Sequence, residues 1–449
     1  MEDFEKFGIS VPKILLPKTD LKAWSVIACD QYTQDREYWE KVSQIAKGKP
    51  SSLHIILPEV YLNDSNRTER IENIRKTMKD YLRDDIFADE KQAFIYIERK
   101  TAYGRTRKGL VAAIDLESYE WKPFSTALIR ATEATIIDRI PPRMEIRRGA
   151  PIETPHIMLL VNDTNCVLVE SCGESLKSNG KQPVYNTDLM ADSGHITGWT
   201  VESESELSSV KNALNKLYEQ NKCNDGSVFM FAVGDGNHSL ATAKAVWDEL
   251  KENNGGKKND DGSISIPAGF ENHNARFALI EIVNIYDKGL TFEPIHRILF
   301  NIQGKTLIEY VAKKLNGKII DCANAEEIER NVLSSKANFG FVWKDTKTAK
   351  TVYKCVETNI TDLAVSHLQP ILDQYLNENA NESEIDYIHG SDEVFRLGEK
   401  DNTVSILLPP IAKDSFFATI VRNGPLPRKS FSMGEASEKR FYMECRKLF

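Results

Sequence analysis

The stretch Val228-Phe229-Met230-Phe231-Ala232-Val233-Gly234-Asp235-Gly236-Asn237-His238-Ser239 decides how this chain is read. Six apolar residues in a row are the pattern of a strand buried on both faces. They run straight into a turn with two glycines. Beyond it Leu240, Ala243, Val246, Trp247 and Leu250 recur at steps of three and four, which predicts an amphipathic helix. The order strand, glycine turn, helix has a chemical consequence. The first N–H groups of a helix have no partner inside it, and they carry partial positive charge. Glycines let the backbone come close to an anion. The sequence therefore predicts a phosphate-type anion site on Gly234, Gly236, Asn237, His238 and Ser239. The plainer alternative is a capped helix after an ordinary turn. Asp235 is the unusual member, because a carboxylate there repels phosphate unless it binds Mg2+ or takes a proton from a hydroxyl.

Outward from this turn, helices are predicted from Trp24–Trp39 through Lys47, over 66–84 and over Glu204–Asn221. Strands are predicted at Leu53–Leu57, Gln92–Arg99, Gly109–Leu116, Thr154–Val161, Cys166–Glu170 and Arg276–Ile285. Asn253–Ser263 is built only from Gly, Asn, Asp, Lys and Ser, and reads as an exposed loop. A charged helix is expected from Ala323. The fold class is α/β, with mixed sheets and helices. The expected divisions are a lobe over 1–205, a strand–turn–helix core over 206–300 and a second α/β lobe over 301–449.

Composition bounds the function. The chain has 449 residues, a formal net charge of -8 and 28% charged residues, a globular balance that disfavours bulk DNA binding. Arg139, Arg143, Arg147 and Arg148 form one basic stretch that leaves room for a local cleft. No apolar run is long enough for a membrane helix, and the acidic start carries no secretory pattern. Seven cysteines without a Cys-x-x-Cys spacing fit free thiols in a reducing compartment, so a cytoplasmic location is expected. Gly304-Lys305-Thr306 has the tail of a phosphate-binding P-loop, but Leu299 stands where its first glycine belongs. Asp30-Gln31-Tyr32 follows an apolar segment; such a triplet can lie at a strand's carboxyl end, where α/β sites form, but the preferred reading is helix capping ahead of Arg36.

The turn resembles the Asp-Gly-His-His-Arg motif of the domain of unknown function 1015 family. Three more elements carry the resemblance in order. Arg130-Ala131-Thr132-Glu133-Ala134-Thr135 is similar to the family's Arg-Pro-His-Glu-x-Thr, Pro294-Ile295-His296-Arg297 to its Pro-Thr-His-Arg, and Pro427-Arg428-Lys429-Ser430 to its Pro-x-Lys-Ser. Among the departures from the pattern, Thr132 and Asn237 replace histidines, and Ser239 replaces an arginine that would clamp phosphate bidentately. The turn is also similar to that of the ParB/sulfiredoxin-like fold, which includes free-serine kinases.

The resemblance implies a phosphoryl-transfer enzyme acting on a small hydroxy amino acid or its phosphate, serine or phosphoserine, in the kinase or phosphatase direction. It implies Asp235, His238 and Glu133 as catalytic residues. Gly234, Gly236, Asn237, Ser239, Arg130, Thr135, His296, Arg297, Lys429 and Ser430 are implied as phosphate or substrate ligands. Mg2+ on Asp235 or Glu133, and ATP or ADP, are the implied cofactors. The expected partner is a small-molecule substrate, with no membrane, nucleic acid disfavoured and a homo-oligomer compatible. The alternatives are a non-catalytic nucleotide or nucleic-acid binder of ParB-like type and a metabolite-sensing regulator.

Overall fold

A computed structural model of the chain describes residues 3–154, 156–379 and 383–449. The chain divides into two compact units. The first is Met1–Leu290 together with Glu435–Phe449, and the second is Thr291–Gly434. These bounds differ from divisions at 205 and 300. The strand Phe277–Asn284 lies inside the first sheet, and residues 435–449 return to that same unit.

The first unit is built on a ten-stranded mixed sheet. Phe94–Thr101 and Thr106–Asp115 form the expected hairpin, its turn passing through Gly104 at positive φ. Thr106–Asp115 pairs antiparallel with Phe277–Asn284, which runs parallel to Met158–Val161. Met158–Val161 is antiparallel to Phe231–Asp235, and this last strand is parallel to Ile129–Ala131. Phe231, Ala232 and Val233 have no exposure, as a strand covered on both faces requires. The strand starts later than the apolar run: the N–H groups of Phe229 and Met230 go to the carbonyls of Asn221 and Leu128 instead of a neighbouring strand.

The helix Asn237–Asn253 follows the turn directly. Its buried face holds Leu240, Ala243, Val246 and Trp247, each large member contributing roughly 1.5–3 kcal/mol by leaving water. The polar edge of Trp247 is satisfied as well, its Nε1–H donating to Glu117 Oε1 at 2.7 Å. Helices Arg36–Ala46, Arg67–Arg83 and Glu204–Gln220 lie where the periodicity puts them. Two expected strands do not form. Leu53–Leu57 is entered by a 3-10 turn, Ser52–Ile55, because Ser51 accepts from Leu53 N–H and Pro58 follows. Cys166–Glu170 is a turn leading into the helix Val169–Ser178: Asp163 Oδ2 accepts from Leu168 N–H, and Cys166 adopts positive φ.

Residues 435–449 are held in the first unit by backbone and charge. Ala28 N–H donates to the Arg440 carbonyl, Tyr442 N–H to that of Val26, and Leu15 and Cys445 exchange both bonds. Glu281, fully buried in the sheet, accepts from Arg440 at 2.6 Å and from Arg107 at 3.2 Å. Arg440 also reaches Glu444 at 2.6 Å, and Tyr185 donates to the same carboxylate. Burial works against the Glu281 charge, but the two guanidinium groups hold its carboxyl below the ordinary value.

The second unit carries a six-stranded antiparallel sheet in the order Lys318–Cys322, Thr351–Glu357, Phe339–Lys344, Thr403–Leu407, His296–Phe300, Glu384–Ile388. Gly304 opens the helix Gly304–Leu315 and packs on Trp343, where a Cβ would collide with the indole ring. That close approach accounts for the glycine of Gly304-Lys305-Thr306. No helix among the described residues is long and apolar enough to cross a membrane. All seven cysteines are free.

Candidate functional site

The pairing of Phe231–Asp235 with Met158–Val161 shifts register between Val233 and Asp235. Such a bulge re-aims a side chain at a strand end. It delivers Asp235 to the turn, where Gly236 follows at φ 84 and packs against Ile157, with room for a Cβ only at 3.1–3.2 Å. A residue with a side chain would be strained there twice over, by its left-handed backbone and by that close approach. Gly234 to Ser239 are all partly exposed between buried Val233 and buried Leu240. The helix begins on Gly236, which has no side chain to cap it.

Two hydrogen bonds fasten the segment after Ile129–Ala131 over this helix start. Thr132 N–H donates to Asn237 Oδ1 at 3.2 Å, and Ile136 N–H donates to His238 Nε2 at 3.3 Å. Glu133 and Thr135 lie in the span between the two bonds. Asn237 also donates to Thr132 Oγ1 at 3.2 Å. The two positions that depart from the family's histidines therefore touch each other, and Asn237 is spent on holding Thr132. His238 receives a backbone N–H on Nε2, which makes it an anchor of that segment.

Asp235 Oδ1 accepts from Gly236 N–H at 3.0 Å, and its Oδ2 lies 3.4 Å from Lys439 Nζ. Beside them is a cluster that the sequence motifs do not point to. His156, 6% exposed, meets Tyr442 Oη through Nδ1 at 2.8 Å and Asp30 Oδ2 through Nε2 at 3.4 Å. Tyr442 Oη also accepts from Cys29 N–H at 3.0 Å. Burial alone would raise the Asp30 pKa; the charge of His156, its hydrogen bond, Gln31 and Lys439 together hold it well below the carboxylate range. Burial likewise opposes charge on His156, yet Asp30 lifts its imidazole well above the ordinary value. Asp30 is not the cap of Arg36–Ala46; Asp35 is, accepting from Tyr38 N–H at 2.9 Å.

The pair has a definite pH signature. The Asp30 contribution is present above its unfolded value near ~4 and fades as pH falls through its lower folded value. The His156 contribution is complete below its unfolded value near ~6.5 and fades as pH rises through its raised folded value. The wild type should therefore exceed His156→Gln in melting temperature by more at about pH 6, inside the window the two share, than under alkaline conditions. A difference between the two proteins that stays constant with pH would contradict the ion pair.

The cations named from the sequence are placed differently. Arg130 is 6% exposed; its Nε–H donates to the Ala127 carbonyl at 2.8 Å, its Nη2 to Ser227 Oγ at 3.0 Å, and its guanidinium covers Phe229. These partners lie before the strand Phe231–Asp235 and not at its turn. His296, Arg297, Lys429 and Ser430 belong to the second unit. There Arg297 is fully buried, donating to Gln369 Oε1 at 2.9 Å and to the Ile295 and Lys429 carbonyls. His296 Nδ1 accepts from Leu408 N–H at 3.0 Å, and burial beside Arg297 pushes its pKa down to about 4. Ser430 donates to the Pro427 carbonyl, and Lys429 is exposed at φ 58. Arg143, Arg147 and Arg148 of the basic stretch pair with Glu59, Glu153 and Glu249. Among the described residues no three His, Cys, Asp or Glu side chains gather as a metal site.

Sheet and turn together define a mixed α/β protein with a strand–glycine turn–helix junction opened to solvent at one strand end. The chain belongs to the family described as Protein of unknown function (DUF1015), which matches residues 11–375. Its fold is also similar to three solved structures. A free serine kinase variant in complex with AMP matches at TM-score 0.39 and 10% identity, over 75% of this chain and 92% of that one. A conserved hypothetical protein from Pyrococcus furiosus matches at 0.36 and 10%, over 75% and 94%. C-terminally truncated SbnI from Staphylococcus aureus matches at 0.33 and 7%, over 72% and 83%. No curated protein matches the sequence.

Proposed function

We propose that the chain is a phosphotransferase acting on a small hydroxy amino acid or its phosphate, with serine and phosphoserine as the substrates to test. The observation that carries this reading is the uncapped, solvent-reached start of Asn237–Asn253 with the Asp235 carboxylate delivered beside it by a bulge. Backbone N–H groups of that first turn hold the phosphoryl oxygens, aided by the helix dipole. Asp235 takes the proton of the attacking hydroxyl, or orients Mg2+ on the phosphate. Glu133, fastened over the helix start by the bonds on either side of it, is the second carboxylate within the segment. Magnesium with ATP or ADP would supply the phosphoryl group and offset its charge; a hard cation of this kind takes one or two carboxylates plus phosphate oxygens and needs no larger protein cluster. Positioning and electrostatics then carry most of the rate, since phosphoryl transfer asks little covalent chemistry of the protein.

The test is an assay of the full chain with serine plus ATP or ADP and Mg2+, and with phosphoserine alone, counting serine, phosphoserine and free phosphate. Turnover in one of these arms is the expected result. Folded protein without turnover in any arm removes the reading, and a melting temperature raised by a ligand in the same experiment would recast the site as a sensor.

A further inference from the structure

We propose that Lys439 is the cation that receives the phosphate group at this turn, beside the carboxylate of Asp235. The inference rests on the reading of the turn as an anion site, and it assigns the charge that the missing arginine at Ser239 leaves vacant.

The stem of Lys439 is buried: the residue is 9% exposed and its side chain 11%. Its ammonium stands 3.4 Å from Asp235 Oδ2, and among the described residues it donates no well-directed hydrogen bond. An ammonium carries three N–H donors. One faces Asp235, which leaves donors for a ligand. The second carboxylate that feels its charge is Asp30, already committed to His156. Lys439 is thus drawn by both carboxylates and saturated by neither. Its place is fixed by the backbone, because the neighbouring Arg440 carbonyl accepts from Ala28 N–H and the Arg440 side chain is locked on Glu281 and Glu444. Asp235 is at the same time the residue that leads into the uncapped helix. The Gly236 N–H and the Lys439 ammonium therefore flank the Asp235 carboxylate, one on each oxygen.

The arrangement fits a phosphate monoester or inorganic phosphate. Two kinds of donor converge, a fixed point charge and a helix start, as anion sites use them. A phosphate arriving there shares Lys439 with Asp235. It draws the ammonium toward its own oxygens and away from the carboxylate. Of the cations named from the motifs, Arg130 is engaged by Ala127 and Ser227 and Arg297 by Gln369 and two carbonyls, while Lys429 belongs to the second unit.

The experiment is calorimetric titration of the full chain with inorganic phosphate and with phosphoserine, using wild type, Lys439→Met, Lys439→Arg and Lys258→Met in the exposed loop. Lys439→Met should weaken the Kd about tenfold or more, Lys439→Arg by much less, and Lys258→Met not at all. Folded Lys439→Met that binds as tightly as wild type overturns the assignment while leaving the turn as an anion site. Wild type that binds neither probe removes the anion site itself and this inference with it. If Lys439→Met fails to fold, Asp235→Asn decides: freeing Lys439 from its carboxylate should tighten phosphate binding severalfold, and unchanged or weaker binding overturns the role of Lys439.

Discussion

Asp235→Asn should lower the phosphoryl-transfer rate by about two to four orders of magnitude, the span a general base contributes, while the protein stays folded. Asparagine has the shape of aspartate and keeps an oxygen for the Gly236 N–H, so the bulge and the turn survive. What disappears is the negative charge. Its ion pair with Lys439 is a long one, 3.4 Å, without a well-directed hydrogen bond, so its loss should cost less than breaking a tight buried pair. A large kinetic effect with a small stability effect is the signature of a group that acts on the substrate. Magnesium separates the two roles open to it. If Asp235 only orients the metal, raising the magnesium concentration should restore part of the rate; if it accepts the proton, it should not. A variant that turns over at the wild-type rate would take Asp235 out of both roles.

The second large effect concerns the fold. Glu281→Ala should cost about 3–5 kcal/mol, because breaking a buried ion pair strands its partner without compensation. Here two buried partners lose their shared carboxylate, Arg107 and Arg440, at 5% and 3% side-chain exposure, although Arg440 keeps Glu444 and Arg107 the Glu438 carbonyl. Against a typical total stability of roughly 5–15 kcal/mol this threatens the native state, and urea unfolding of the two proteins side by side measures it. A cost below about 1 kcal/mol would mean that water or a rearranged Glu444 already serves the arginines. Gly109 exists for the same reason as the network: the Glu281 carboxylate occupies the space that a Cβ at this position would need.

The parts of this molecule legible in its sequence are those governed by local rules. The Gln92–Arg99 and Gly109–Leu116 pattern marks a hairpin, and the spacing Leu240, Ala243, Val246, Trp247 marks a helix, because alternation and three-to-four periodicity report directly which face is covered. Cys166–Glu170 misleads for the opposite reason. Its β-favouring composition is outweighed by one side chain, Asp163, which turns the backbone into a helix. At the site the turn can be read, since strand, glycines and helix are contiguous. Its companions cannot. Asp30, His156 and the Lys439–Tyr442 segment lie far apart in the chain, and the pairing of residues 26–28 with 440–442 brings Asp30 to that segment. A faint signal is present: Lys439-Arg440 beside the apolar Phe441-Tyr442-Met443 run marks charges destined for an interior. Arg297 is a motif residue that lies buried on Gln369 inside the second unit, which its sequence context does not announce.

The return of residues 435–449 to the first unit sets the order of events at the ribosome. The turn Gly234–Ser239 leaves the exit tunnel early, but Lys439 and Tyr442 are made only after the whole of Thr291–Gly434. Domains usually fold as they emerge, first part first. While the second unit is being synthesised, the earlier sheet must wait with Glu281 short of Arg440, and Asp30 and His156 lacking Tyr442 beside them. A nascent chain stalled before residue 439 would lack these contacts and should be less stable than the finished one.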